Sequence, residues 1–213
     1  MSRKRRRILE TAEREFLDKG YDGTSIDAIV REVGGSKSTV YSHFRDKDVL
    51  FAEALSQASH DLDFSLPHHR QEADSLPDAG AGQRLRLAVI ELLSTLYRTR
   101  AIHLVRLLAG EARRFPDVGR QFWQEGPEQA VSVLAGILSG GSPAEGSAGG
   151  TEDAGGTGRP PDPEAERAAR LIFSRAVGEE YLARVLGVRP LPDAREIADL
   201  AEALLHDLPR PLR

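Results

Sequence analysis

A cluster of polar and basic side chains follows the Gly34-Gly35 pair, and these side chains are of the kinds that hydrogen-bond to nucleic acid. They are Lys37, Ser38, Thr39, Ser42 and His43. Because Val40 and Phe44 have the spacing of an inward face, the cluster shares the opposite face of one short helix. Such a face fits the major groove of DNA. An ordinary helical bundle with a solvated polar face is the alternative interpretation.

A second basic feature is the run of five basic residues at positions 3–7, with Arg5 and Arg6 at its centre. It is either a solvated helix start or, as we prefer next to a DNA-binding helix, an arm that touches DNA phosphates or the minor groove. Residues 1–60 hold 11 of the 29 Lys and Arg but only 10 of the 33 Asp and Glu. This asymmetry suits a DNA-binding N-terminus on an acidic body, although the net charge is −4.

Helical periodicity predicts the elements that position these side chains, and no convincing β-alternation appears, so the fold class is all-α. The predicted helices cover 3–19, 25–33, 37–43, a fourth from Asp46, 82–98, 101–114, Pro116 to about Leu138 with a break near Gly126-Pro127, 163–187 and 193–208. Ser2, Thr24 or Ser25, Ser36 and Asp46 are the predicted caps of the first four helices. The two short helices need a shared core. Its predicted members are Ile8, Phe16, Ile26, Ile29, Val40, Phe44 and Leu50.

Residues 139–162 are predicted to form a flexible loop, because these 24 residues include eight glycines and three prolines. The chain has no cysteine, which excludes disulfides and cysteine nucleophiles and suits a reducing cytoplasm. No apolar run approaches the roughly 20 residues of a membrane span. Without a phosphate-binding glycine loop, a nucleophile elbow or a metal-ligand pair at helical spacing, we expect no enzyme activity, no cofactor and no metal.

Residues 8–55 resemble the DNA-binding domain of the TetR family of transcriptional regulators. The matching pieces are Phe16-Gly20-Tyr21, Thr24-Ser25, Ile26-Ile29, Ser36-Lys37-Ser38-Thr39-Val40-Tyr41 and His43-Phe44-Arg45-Asp46-Lys47-Asp48-Val49-Leu50. The resemblance implies a helix-turn-helix domain at 1–46 and a larger helical ligand-binding and dimerisation domain at 47–213. The sequence departs from the family pattern at Gly35, where an apolar residue is usual, and at Ser38, where glycine is common.

The resemblance also assigns roles to individual residues. Thr24, Ser25, Tyr41 and Lys47 match residues that hold DNA phosphates. Ser36, Lys37, Ser38, Thr39 and His43 match the face that approaches bases and nearby phosphates. A helix N-terminus already attracts phosphate, which fits Lys47. The alternatives are a half-buried core position for Tyr41 and a solvated charge for Lys47.

In the C-terminal region the stretch 104–127 looks like a common class of TetR ligand-binding domain. The implied pocket residues are Leu93, Leu96, Tyr97, His103, Leu107, Phe115, Phe122 and Trp123, although for any single one of them a place in the core is the preferred interpretation. In this family the last two helices form the dimer. The expected interface residues are Ala169, Ile172, Ala176, Leu200 and Leu204, while the apolar stripe at 197–208 could also pack within the chain.

The function implied is that of a cytoplasmic homodimeric repressor that binds a pseudo-palindromic operator and is released from it by a small apolar ligand. A ligand-independent regulator or an activator is the alternative.

Overall fold

A computed structural model describes residues 2–66, 80–140 and 162–206, and over these residues all regular structure is helical. The helices are α1 (Arg3–Gly23), α2 (Ile26–Val33), α3 (Lys37–Tyr41), α4 (Lys47–His60), α5 (Ala81–Leu96), α6 (Thr99–Glu111), α7 (Pro116–Glu125), α8 (Pro127–Leu138), α9 (Pro163–Ala176), α10 (Glu179–Val185) and α11 (Ala194–His206). The all-α class predicted from the sequence is confirmed.

The chain divides into two compact units. The first unit comprises Met1–Leu62 and Thr99–Glu125, and the second comprises Asp63–Arg98 and Gly126–Arg213. The first unit therefore holds α4, α6 and α7 together with the three N-terminal helices. The domain boundary expected between residues 46 and 47 stays a prediction.

Side-chain caps set the start of each of the first four helices. Ser2 accepts a hydrogen bond from the backbone N–H of Arg5, and Ser25 accepts one from Ala28. Ser36 and Asp46 do the same for α3 and α4. These side-chain oxygens satisfy N–H groups that have no partner within the helix, which is why the boundaries could be placed from the sequence.

The core of the first unit is built where α1 crosses α4. All seven side chains predicted for this core are buried, at most 8% exposed. Phe16 and Phe51 meet edge to face with ring centroids 5.0 Å apart, and Tyr21 meets Phe51 in the same way. Phe115, from the corner before α7, completes the cluster 4.5 Å from Phe51. The short helices α2 and α3 are thus held by a core that longer helices supply.

The second unit packs α8 against α9 and α5, and α11 against α5. Leu92 of α5, Leu134 of α8 and Ile172 of α9 are fully buried there. The helix predicted at 163–187 is in fact two helices, α9 and α10, because the chain turns at Val177 and Gly178. A Cβ at Gly178 would lie 3.1 Å from the Arg175 carbonyl oxygen, so glycine fits this turn with less crowding than any other residue.

The predicted loop at 139–162 lies mostly outside the described residues, although α8 ends at Leu138 and α9 begins at Pro163. Over the parts of the chain that the structure describes, no helix has both the length and the apolar character to cross a membrane.

Candidate DNA interface

The outward face of α3 is the polar surface predicted from the sequence. Val40 and Phe44 are 2% and 1% exposed and anchor the helix in the core. Lys37, Ser38 and Ser42 are exposed on the other side, whereas Thr39 and His43 are half-buried. Tyr41 is 46% exposed, so it is not a core aromatic.

The start of α3 is fixed by a hydroxyl network. Ser36 accepts a hydrogen bond from the N–H of Thr39, and the Thr39 hydroxyl accepts one from the N–H of Ser36. The hydroxyls of Ser36 and Ser38 lie 2.7 Å apart. Ser38, in place of the glycine common in the family, therefore joins the cap. This capping box holds the N-terminal turn of α3 in the orientation that a groove-binding helix needs.

The glycines before α3 are required by the backbone of the turn. Gly34 and Gly35 have φ of +75° and +112°, values that residues with a Cβ rarely adopt. An apolar side chain at Gly35 would be strained in this turn, which explains the departure from the family pattern. The missing apolar anchor is replaced by Lys4, whose Nζ donates to the carbonyl oxygens of Val33 at 3.2 Å and Gly34 at 2.6 Å.

Lys37, the first residue of α3, forms an ion pair with Asp27 of α2, with 2.9 Å between Nζ and Oδ2. Hydrogen bonding to the Asp27 carboxylate raises the pKa of Lys37. Both side chains are more than half exposed, so the pair contributes little to stability. Its effect is to restrict where the ammonium group points.

Thr24 and Ser25, both predicted phosphate contacts, occupy different environments. Ser25 is exposed and its hydroxyl already caps α2. Thr24 is 2% exposed, and its hydroxyl lies 2.9 Å from the carbonyl oxygens of both Glu15 and Gly20. The Thr24 side chain therefore joins α1 to α2 inside the unit, and its backbone N–H donates to the Tyr21 carbonyl oxygen at 3.3 Å. Because both groups have partners within the unit, the structure gives no support to the phosphate contact predicted for Thr24.

Lys47 begins α4 and lies against Tyr21. Its Nζ donates to the Tyr21 carbonyl oxygen at 2.5 Å and lies 4.2 Å from the centroid of the Tyr21 ring. Partial burial lowers the pKa of Lys47. Lys47 is thus not a freely solvated charge; it is held beside the N-terminus of α4, where a phosphate would be attracted.

Arg114, in the corner between α6 and α7, also contacts Tyr21. Its guanidinium carbon lies 4.0 Å from the Tyr21 ring centroid, and its Nη2 donates to Asp48 Oδ1 and to the Tyr21 hydroxyl oxygen, each at 3.0 Å. The Tyr21 hydroxyl in turn donates to Asp48. Burial, with the Asp48 hydrogen bond second, raises the pKa of Tyr21 to about 12. The phenol is therefore a stable donor at neutral pH.

The basic run at 3–7 is a helix start, not a separate arm, because α1 begins at Arg3. Arg5 pairs with Glu53 and stacks on Phe44 with 4.7 Å between the guanidinium carbon and the ring centroid. Arg6 lines a cleft of about 330 Å³ whose other lining residues are Leu9, Glu10, Glu13, Gln57 and Asp61. Since Arg5 has an internal partner and Arg6 faces carboxylates, the structure gives no support to the DNA contacts expected of them.

The predicted ligand-binding residues fall in both units. Leu93, Leu96 and Tyr97 are buried in the second unit. The other predicted pocket residues all lie in the first unit. They are His103, Leu107, Phe115, Phe122 and Trp123. Among these, Phe115 belongs to the aromatic core with Phe51 and Tyr21, which corrects its assignment to a pocket. His103, Leu107 and Phe122 are half-buried, and Trp123 is 53% exposed.

The predicted dimer residues on α9 need correction. Ala169, Ile172 and Ala176 are at most 3% exposed, because this face of α9 packs within its own chain, largely against α8. Leu200 and Leu204 of α11 are half-buried. Among the described residues of the second unit, the large apolar side chains that are exposed are Leu171, Leu182, Leu186, Val188 and Leu191.

Two features of the candidate DNA interface were not predicted from the sequence: the contact of Arg114 with Tyr21 and Asp48, and the contact of Lys4, predicted only as part of a DNA-binding arm, with the α2–α3 turn. Lys4 was hidden in a run of similar charges, and its role depends on the distance to the α2–α3 turn. Arg114 is far from Asp48 in the sequence, and only tertiary packing brings them together.

Comparison with known proteins identifies the family. Residues 8–54 match the model of bacterial regulatory proteins of the tetR family, and residues 83–206 match the C-terminal domain of AefR-like transcriptional repressors. The second match covers more than half of the chain. The chain therefore belongs to the TetR family, and it is a helix-turn-helix transcriptional regulator.

Individual relatives agree with this assignment. A helix-turn-helix transcriptional repressor of Mycobacterium tuberculosis is 39% identical over 51 residues, which are 24% of this chain and only about a quarter (27%) of the relative. A solved TetR-family regulator from Mesorhizobium loti is 26% identical, with a TM-score of 0.71 over 95% of this chain and 93% of its own. The flavonoid-responsive regulator FrrA is also 26% identical, with a TM-score of 0.62 over 96% and 94%. These proteins are regulators, not enzymes.

Proposed function

We propose that this protein is a homodimeric repressor that binds a pseudo-palindromic operator through α3 and leaves it when a small apolar ligand binds. The observation that carries the DNA-binding part is the exposed polar face of α3, which is fixed by its capping box and by the Val40 and Phe44 anchors. On this face Lys37, Ser38 and Thr39 approach bases, while Tyr41 and Lys47 hold phosphates and so position the helix.

Two copies of α3, related by a two-fold axis, would address half-sites about 34–36 Å apart or a multiple of one DNA turn. The test is to select duplexes from a random library with the purified protein, and then to measure affinity by fluorescence anisotropy at several salt concentrations. We expect an inverted repeat and an affinity that falls steeply with salt. Equal binding to the selected and to scrambled duplexes would contradict the proposal.

The partner copy is proposed to cover the exposed apolar side chains of the second unit. Leu182 is 54% exposed, Leu186 68% and Val188 74%, and all three lie in or just after α10. Large apolar side chains clustered at a surface are typical of obligate interfaces.

The ligand is proposed to be a planar, mostly apolar molecule with phenolic or carbonyl oxygens. FrrA, by its name, responds to flavonoids. In the second unit of this chain, buried Tyr97 and Tyr181 have ring centroids 5.7 Å apart, and the Arg184 guanidinium carbon lies 5.2 Å from the Tyr97 ring. Burial raises the pKa of Tyr181 to about 12, so its hydroxyl stays a hydrogen-bond donor. Aromatic walls with a few polar groups suit such ligands.

The ligand proposal is tested with a panel of flavonoids, using the fluorescence of Trp123, the only tryptophan in the chain. A binding flavonoid should lower the affinity for the selected duplex by roughly 5–150-fold, and the duplex should lower flavonoid affinity by the same factor. Tyr97→Phe should weaken flavonoid binding, whereas Tyr41→Phe is the matched control. If flavonoids bind equally well to free and DNA-bound protein, ligand-independent regulation is the better account.

A further inference from the structure

Arg114 connects the corner between α6 and α7 to the first turn of α4. This arginine, which lies outside the helix-turn-helix in the sequence, donates to Asp48 and to the Tyr21 hydroxyl and stacks on the Tyr21 ring. Lys47 contacts the same ring and the Tyr21 carbonyl oxygen. Lys47, Arg114 and Asp48 thus meet around a single tyrosine, and Asp22 is close enough to act electrostatically on this tyrosine and on both cations.

Asp48 is the residue in this group that opposes DNA binding. It follows Lys47 directly in the first turn of α4, and its side chain is 51% exposed. A carboxylate at this place favours the start of the helix through the helix dipole, but it repels a phosphate that approaches the same turn. Something must offset the Asp48 charge if Lys47 is to hold a phosphate there.

Arg114 supplies that offset with both charge and geometry. Its guanidinium carbon lies 4.0 Å from the Tyr21 ring centroid while Nη2 donates to the Asp48 carboxylate, and a lysine, which has no such fork, could not make both contacts in this way. The Tyr21 hydroxyl gives Asp48 a second donor. The Asp48 carboxylate is therefore directed toward Arg114 and Tyr21.

We propose that Arg114 is a positioning residue for DNA binding: it neutralises Asp48 and holds Tyr21, and thereby makes the N-terminus of α4 a phosphate site. This rests on the proposed function, in which Lys47 holds a phosphate. It follows that any displacement of the α6–α7 corner from Tyr21 and Asp48 weakens operator binding, so this corner sets the DNA affinity of α4.

The test is a double-mutant cycle on the duplex selected by the wild-type protein, with affinity measured by fluorescence anisotropy. Arg114→Gln should weaken binding about fivefold, the effect of one uncompensated charge a few ångströms from a phosphate in water. Asp48→Asn alone should strengthen binding. Arg114→Gln combined with Asp48→Asn should restore at least wild-type affinity, because the carboxylate that Arg114 offsets is then absent.

The matched control is Arg113→Gln, which removes the same charge from the neighbouring, exposed position. It should change affinity by less than about twofold, since distant exposed charges are screened by salt. Arg114→Lys should recover part of the affinity, because it keeps the charge but loses the stacked fork. Thermal unfolding of every variant separates loss of DNA binding from loss of structure.

Unchanged affinity in Arg114→Gln, or a double variant as weak as Arg114→Gln, would overturn the inference. If Arg114→Gln fails to fold, the affinity of Asp48→Asn for the duplex still tests the inference. An affinity of Asp48→Asn equal to or below that of the wild-type protein would contradict repulsion between the Asp48 carboxylate and a phosphate. Lys47→Ala distinguishes the two levels of the argument. If Lys47→Ala binds the duplex with wild-type affinity, the proposed phosphate site at Lys47 is excluded. If Lys47→Ala binds weakly but Arg114→Gln binds normally, the phosphate site stands and only the proposed role of Arg114 is excluded.

Discussion

Two exposed surfaces of this protein differ in chemical character, because one is polar and the other is apolar. The face of α3 presents an ammonium group and hydroxyls held in place by hydrogen bonds among themselves and to the backbone. The surface around α10 presents leucine and valine side chains, with Leu186 and Val188 more than two-thirds exposed. The polar side chains of the first surface are hydrated when they face water. The apolar side chains of the second surface are stabilised when another apolar surface covers them and removes them from water.

This difference indicates different partners. A hydrated, highly charged duplex is recognised by polar groups that are already positioned. An apolar patch carries no such directional information and suits another protein surface, which we propose is a second copy of the same chain. The largest predicted effect therefore comes from the apolar surface and the smaller ones from individual polar contacts.

Leu182→Glu combined with Leu186→Glu should convert the dimer to a monomer, since two charges would be buried without partners at the interface. Operator affinity should then fall by about a hundredfold or more, because one half-site no longer helps the other to bind. Sedimentation velocity gives the oligomeric state, and anisotropy gives the affinity. Gln83→Glu, at an exposed position of α5, is the charge control. A double variant that stays dimeric would exclude this surface as the interface.

Lys47→Ala should weaken binding to every duplex by roughly tenfold, because it removes a charged hydrogen bond to phosphate. The slope of log affinity against log salt should become shallower by about one. Tyr41→Phe should act in the same direction but less strongly, as it removes a neutral donor. A Lys47→Ala protein with altered sequence preference and unaltered affinity would show that α4 reads bases.

The variant Lys4→Met tests whether Lys4 stabilises the fold or contacts DNA. Because Lys4 caps the α2–α3 turn through the carbonyls of Val33 and Gly34, its loss should lower the free energy of unfolding by about 1 kcal/mol and weaken operator binding a few-fold. The salt slope should not change, since no phosphate contact is lost. Arg3→Met, at an exposed neighbour, is the control. A shallower slope in Lys4→Met would instead place Lys4 on the phosphate backbone.

Local signals allowed the first four helices to be predicted from the sequence. Ser2, Ser25, Ser36 and Asp46 each cap the helix that follows, and Gly20, directly after the helix predicted over 3–19, adopts a positive φ. A cap or a turn depends on neighbours within a few residues, so the sequence contains most of the information.

Contacts between residues that are far apart in the sequence could not be predicted from such local signals. An apolar stripe on α9 fits either a second copy or the chain's own helices, and the structure places Ile172 and Ala176 against its own chain. Lys4 and Arg5 look like members of one DNA-binding run, but each finds a different partner within the unit. The glycine at position 35, where the family pattern has an apolar residue, is explained by a positive φ that could not be read from the sequence.

The most direct test of the central claim, that the α3 face reads operator sequence, is to repeat the duplex selection with Lys37→Ala and Thr39→Ala. Each variant should relax or alter preference at one base-pair position, with a change of roughly 1–3 kcal/mol that appears symmetrically in both half-sites. If both variants select the wild-type sequence, with only a uniform loss of affinity, then α3 does not read the bases and the account is contradicted.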